Sequence, residues 1–175
     1  MRCASAEALP FPDLSFDAAI AVLSDHHWSD PIAGLREMRS VAHRVVVFQW
    51  DNELASEFWL VRDYLPEFGQ LAAAGPGLRE RAAVIGARME SVPIPWDCVD
   101  GFFHACWRRP EAYLNEHVRR GSSVWARLGT ATEKRATTAL RTDLSTGRWR
   151  SRNSQWLGLE AANVGARLLV ADSSA

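Results

Sequence analysis

The chain has 175 residues, 47% of them hydrophobic and 23% charged, with a formal net charge of −1; this balance excludes a disordered, collagenous or coiled-coil chain and gives no electrostatic case for generic nucleic-acid binding. Three cysteines, Cys3, Cys98 and Cys106, need no structural bridge at this size, and an odd thiol count suits a reducing cytosol. The longest unbroken apolar run, Ala18 to Leu23, is far short of the ~20 residues that span a bilayer, and no signal-peptide pattern follows Met1-Arg2, so a soluble, cytoplasmic protein with no membrane partner is expected.

In chain order, Ala18-Ala19-Ile20-Ala21-Val22-Leu23 is a continuous apolar run bounded by polar residues, the pattern of a strand buried on both faces of a parallel sheet. Asp30-Pro31 then supplies an N-cap and a first-turn proline, and Ile32, Leu35, Met38, Val41 and Ala42 recur at helical spacing. Arg44 to Trp50 is short and β-branched, so strand, helix and strand form a right-handed crossover, and the fold class is α/β. Leu54, Phe58, Val61, Leu65 and Phe68 predict a helix that kinks or ends near Pro66. Ala74-Gly75-Pro76-Gly77 reads as a turn, Leu78 to Ile85 as a helix, and Arg88 to Ile94 as a third strand stopped by Pro93 and Pro95. From Trp96 to Glu160 the signals are helical, with a capping box at Thr130 and Glu133 and an end at Gly147. Arg167 to Ala171 is the last strand, and the final serines are a frayed end.

Two segments have the chemistry of a site. The loop from Ala4 to Asp17 carries two stiffening prolines, Pro10 and Pro12, and two apolar plugs, Phe11 and Phe16, so it has a defined shape. The segment Ser24-Asp25-His26-His27-Trp28-Ser29-Asp30 falls at the carboxyl end of a parallel strand, where open α/β sheets bind ligands.

Taken together, Ala6-Glu7-Ala8-Leu9-Pro10-Phe11-Pro12-Asp13, Ser15-Phe16-Asp17, the apolar strand, His26-His27-Trp28 with Asp30-Pro31, the helix with Leu35-Arg36-Glu37-Met38-Arg39, and Val45-Val46-Val47 resemble the class I S-adenosylmethionine-dependent methyltransferases. The similarity is to the "type 11" small-molecule family in particular. Downstream, Ser91-Val92-Pro93-Ile94-Pro95, Asp100-Gly101-Phe102-Phe103 and Trp107 to Leu114 also resemble bacterial members. The resemblance implies a Rossmann-like fold and methyl transfer from S-adenosylmethionine to a small molecule. It places Ser5, Ala6 and Glu7 beside the adenine, Val22, Leu23 and Ser24 along the methionine part, and His26 and His27 at the methyl-transfer site. Many relatives carry Asp at the position of Ser5, where a hydroxyl would replace the carboxylate.

The family pattern opens with a strand, a glycine-rich loop and an acidic residue for the ribose, whereas the first glycine of this sequence is Gly34. The chain is therefore expected to be one partial, N-terminally truncated methyltransferase domain. Residues 1–52 would hold the adenine loop, strand, helix and strand, 53–95 helices and a strand, 96–160 a helical insertion, and 161–175 the last strand and tail. Three consequences are expected: an open edge beside Ala18–Leu23, self-association through it, and weak cofactor affinity for the chain alone. The alternative is an inactive relative acting as a binding or interaction protein.

Each candidate also has a plainer reading. His26 or His27 serves either as a general base or as packing and a brace for the following helix. Trp107 and Arg108, with Trp28, line a substrate pocket, or Trp107 is core and the arginines a solvated surface. Arg148, Trp149, Arg150, Arg152 and Trp156 are arginine stems over tryptophan rather than a nucleic-acid stripe. No metal is expected, because adjacent histidines do not ligate one ion comfortably and His104, Cys98 and Cys106 lack ligand spacing.

Overall fold

The computed structural model describes residues 2–72 and 76–172. The turn expected at residues 74–77 lies partly outside them, and the final serines wholly so. In chain order the elements are β1 (Phe16–Val22), α1 (Pro31–Val41), β2 (Ala42–Trp50), α2 (Trp59–Tyr64), α3 (Pro66–Ala72), α4 (Leu78–Ile85), β3 (Arg88–Ser91), β4 (Ile94–Pro95), α5 (Glu116–Arg120), α6 (Ser123–Ser145), α7 (Arg148–Arg152), β5 (Ala161–Ala162) and β6 (Ala166–Asp172). The chain divides into two compact units: Met1–Asp51 with Gly75–Val92 and Gly165–Ala175, and Asn52–Ala74 with Pro93–Val164.

The first unit is a sheet in the order β1-β2-β6-β3. β1 and β2 are parallel, with Phe16 opposite Ala42 and Val22 opposite Phe48. β6 runs antiparallel to both β2 and β3, so it is the one reversed strand of the sheet. Side chains alternate across a strand, and on one face Ala21, Val45, Val47, Leu169 and Ala171 meet Leu35 and Met38 of α1 and Leu78, Ala82 and Ile85 of α4. Asp30 starts α1 as the sequence predicts, its Oδ1 accepting the Ile32 and Ala33 N–H groups at 3.0 Å each.

The expectation of a strand buried on both faces is corrected. Ala21 is buried, but Ile20 is 69% and Val22 59% exposed. An unbroken apolar run reports the hydrophobicity of both faces and not that both are covered; here only the α1–α4 face is packed. β1 is also an edge strand, as its terminal place in the order requires.

The second unit is built on aromatic rings. Trp59 and Trp107 are fully buried and Tyr113 nearly so, joined by Trp125 and Trp149. The Trp59 indole donates to the Trp107 carbonyl at 2.7 Å, and the Trp107 indole to the Ile94 carbonyl at 3.0 Å, so both rings bury their polar atom with a partner. The expected break at Pro66 separates α2 from α3. The third strand ends earlier than expected, at Ser91, and Ile94–Pro95 pairs instead with Ala161–Ala162. In the helical region Gly129, at φ 79°, interrupts α6 one residue before Thr130. Glu133 pairs with Arg119 at 2.5 Å, which gives its carboxylate a partner outside the expected capping box.

Candidate functional site

The N-terminal loop is pinned to α1 by two carboxylates. Glu37 accepts the Leu9 N–H at 2.9 Å, and Glu7 accepts the Asp30 N–H at 3.1 Å just ahead of the helix. The Ser5 hydroxyl donates to the other oxygen of Glu7. These bonds, the Ser5 one foremost, favour the ionised form and draw the Glu7 pKa down to about 2. Phe11 and Phe16 stack edge to face with centroids 4.9 Å apart, which closes the loop on itself. Ser5, Ala6 and Glu7 thus form a shaped, anionic, hydrogen-bonding segment ahead of α1.

The chain leaves β1 through Leu23, whose φ of 48° is unusual for a residue with a side chain. The Leu23 N–H donates to the Phe48 carbonyl at 3.0 Å, so the register with β2 holds the turn. A single 3₁₀ turn follows, Asp25–His27, closed by the His27 N–H donating to the Ser24 carbonyl at 2.9 Å. Asp25 has no accessible surface. Its carboxylate accepts from Arg81 Nη1 of α4 and from Gln49 Nε2 of β2. The same Gln49 nitrogen lies 3.1 Å from His26 Nδ1, and the Trp50 N–H donates to Gln49 Oε1 at 2.8 Å. Arg81 Nε also donates to the Pro76 carbonyl at 3.1 Å. Buried charge is tolerated only when paired and hydrogen-bonded, and this group satisfies both conditions.

His26 and His27 are both exposed and lie together, ring centroids 3.9 Å apart. Trp28 packs onto α1 and the core of the first unit. A Cβ at Gly34 would sit 2.8 Å from Trp28 Cζ3, so the glycine is there to admit the ring. Asp25, Gln49 and Arg81 were not singled out by sequence, though each carries a signal: Gln49 continues the buried alternation of Val45 and Val47, and Arg81 sits beside Leu78, Ala82 and Ile85 on the apolar face of α4.

In the second unit Trp107 is fully buried with its indole N–H used, which leaves no surface to offer a ligand. Arg108 stacks over Trp96 at 4.9 Å, donates to the Leu159 carbonyl at 2.8 Å, and borders a cleft of about 330 Å³ with Glu111, Trp149 and Arg150. Among the described residues no three His, Cys, Asp or Glu side chains gather as a metal site would need, and no helix is long and apolar enough to cross a membrane.

The loop suits the adenine end of S-adenosylmethionine. The exocyclic amine of adenine is a donor, and the Ser5 hydroxyl with the ionised Glu7 carboxylate is an acceptor set whose oxygens keep a second lone pair.

The family model described as "Methyltransferase domain" matches residues 1–46. A solved structure described as a methyltransferase from an antibiotic biosynthesis pathway of Anabaena variabilis is 29% identical, with a TM-score of 0.86 over 95% of this chain and 70% of that one. YcgJ from Bacillus subtilis (18% identity, TM-score 0.44, 98% of this chain and 70% of that one) and the [4+2]-cyclase SpnF (16%, 0.36, 98% and 54%) are looser likenesses and carry no argument. A search of curated proteins finds no match. The chain is thus similar to methyltransferases in two ways, over residues 1–46 to the family model and over 95% of its length to the fold of the Anabaena protein.

Proposed function

We propose that the protein transfers a methyl group from S-adenosylmethionine to a small-molecule acceptor at the carboxyl ends of β1 and β2. The observation that carries this reading is the convergence, in one unit, of the Ser5–Glu7 loop, the Leu23 turn and the adjoining His26–His27 rings, the loop being tied to the segment after the histidines by the Glu7–Asp30 bond. Ser5, Ala6 and Glu7 take the adenine, and Val22, Leu23 and Ser24 the methionine part. When bound, the cofactor supplies an electrophilic methyl group on a sulfonium. Displacement there is in line, so the protein's contribution is mostly alignment. His26 or His27 takes the acceptor's proton, and Trp28 stiffens the segment that carries them. The reaction is placed in the cytoplasm, without nucleic acid or membrane.

Transfer of tritiated methyl from S-adenosylmethionine to phenolic, carboxylate and amine acceptors tests this. The expected result is turnover by the wild type and a loss of about 10²-fold or more in kcat in His26→Ala or His27→Ala. No transfer to any of the three acceptor classes overturns it.

The terminal place of β1 in the sheet, beside an uncovered face at Ile20, favours a second reading, an interaction protein that self-associates by strand pairing. Light scattering on wild type and Ile20→Lys separates the two. A dimer that the lysine dissolves supports strand pairing, and a monomeric wild type rejects it.

A further inference from the structure

We propose that His26 meets the methyl acceptor as a hydrogen-bond donor through Nε2, with Gln49 as the positioning residue that fixes its tautomer; the role on an acceptor rests on the methyl-transfer reading, whereas the tautomer does not. The Gln49 carboxamide can sit only one way round. Its Oε1 accepts the Trp50 N–H at 2.8 Å, and its Nε2 faces Asp25, whose carboxylate is ion-paired with Arg81 and offers lone pairs only. Turning the amide over would set oxygen against carboxylate and N–H against N–H. Both orientational constraints are enclosed, since Asp25 is fully buried and Gln49 is 6% exposed.

Nε2 of Gln49 has two protons. One goes to Asp25 and the other lies toward His26 Nδ1 at 3.1 Å. A donor facing Nδ1 requires a lone pair on that nitrogen, so the neutral imidazole carries its proton on Nε2. In this state His26 does not accept a proton at Nε2; it donates a hydrogen bond. The matching acceptor class is an oxygen nucleophile that brings its own lone pair, such as a phenolate, enolate or carboxylate, whose anionic form the bond favours and orients. The base role then falls to His27, whose ring lies against His26 with centroids 3.9 Å apart. The two adjacent histidines thereby hold different roles, set by a side chain on another strand.

The test is a long-range ¹H–¹⁵N spectrum of the full chain with labelled histidine and glutamine, recorded over a pH series and read in the neutral-imidazole limit. The expected result is His26 Nδ1 in the unprotonated range, Nε2 in the protonated range, and a coupling across the hydrogen bond between Gln49 Nε2 and His26 Nδ1. In Gln49→Leu the tautomer bias should fall, the Nδ1 signal moving toward the protonated range and the Nε2 signal toward the unprotonated range. A protonated Nδ1 in the wild type overturns the inference, and so does a Gln49→Leu spectrum unchanged from wild type. If that variant does not fold, the wild-type coupling decides the part played by Gln49, its absence counting against it. The spectrum needs no substrate, so a wrong tautomer overturns this inference alone, whereas absent methyl transfer overturns the reading of function and with it the donor's role.

Discussion

In the first unit three polar side chains, Asp25, Gln49 and Arg81, are buried at the end of the sheet and tied to an exposed histidine. In the second, the buried large positions go to Trp59, Trp107, Tyr113, Trp125 and Trp149, and Trp59 meets Tyr113 and Trp149 edge to face at 5.7 and 5.1 Å. The contrast separates specificity from bulk stability. Aromatic burial is large and forgiving in direction, while a buried carboxylate is costly unless every partner stays in place. Chemistry is therefore expected where the polar network is, and stability where the rings are.

The largest effect that would sharpen this contrast is Trp59→Ala. Removing the ring leaves a cavity and an unpaired Trp107 carbonyl, and about 3–5 kcal/mol of unfolding free energy should be lost in urea denaturation. A loss under about 1 kcal/mol would break the claim that the rings hold the second unit.

Next is Arg81→Leu, which strands the Asp25 carboxylate in the interior. About 3 kcal/mol should be lost, and Asp25→Asn added to Arg81→Leu should recover much of it. If the double variant is no better than the single, the carboxylate is not the source of the cost.

The third test is pH. Burial against Phe58 and Phe103 drives the His104 pKa down to about 3 from 6.5. Between these values the unfolded chain binds a proton that the folded chain refuses, so stability is intact above about pH 6.5 and falls as pH is lowered, by up to about 1.4 kcal/mol per unit for one group. His104→Phe should flatten that slope in thermal melts at several pH values, and an unchanged slope would assign it elsewhere. The smallest expected effect is Asp30→Ala, about 1 kcal/mol from the lost cap of α1, measured by urea denaturation.

Much of the first unit was legible because its signals are local. Asp30-Pro31 names the start of α1, and apolar runs name β1 and β2. What covers β1 was not legible, since hydrophobicity at Ile20 and Val22 says nothing about a neighbour. In the helical region the start signal at Thr130 falls one residue after Gly129, whose non-helical backbone interrupts α6, although the Glu133 carboxylate pairs with Arg119 instead of closing a box. Of the site, the histidine pair and the loop were found by family pattern. Asp25, Gln49 and Arg81 were missed because they lie far apart in the chain and meet only through β2 and α4. A polar residue at a buried period of a strand or helix is the signal that would have found two of them. Trp107 was read as either pocket or core, and its burial alongside Trp59, Trp125 and Trp149 assigns it to the core.

The central claim is that the cofactor end of the site lies in the first unit, on the loop and the turn after β1. Amide shift mapping with S-adenosylhomocysteine at millimolar concentration tests it even at weak affinity. The account predicts the largest perturbations at Ser5, Ala6, Glu7, Leu23 and Ser24. Perturbations centred on the Arg108 and Arg150 cleft of the second unit, or none anywhere, would contradict it.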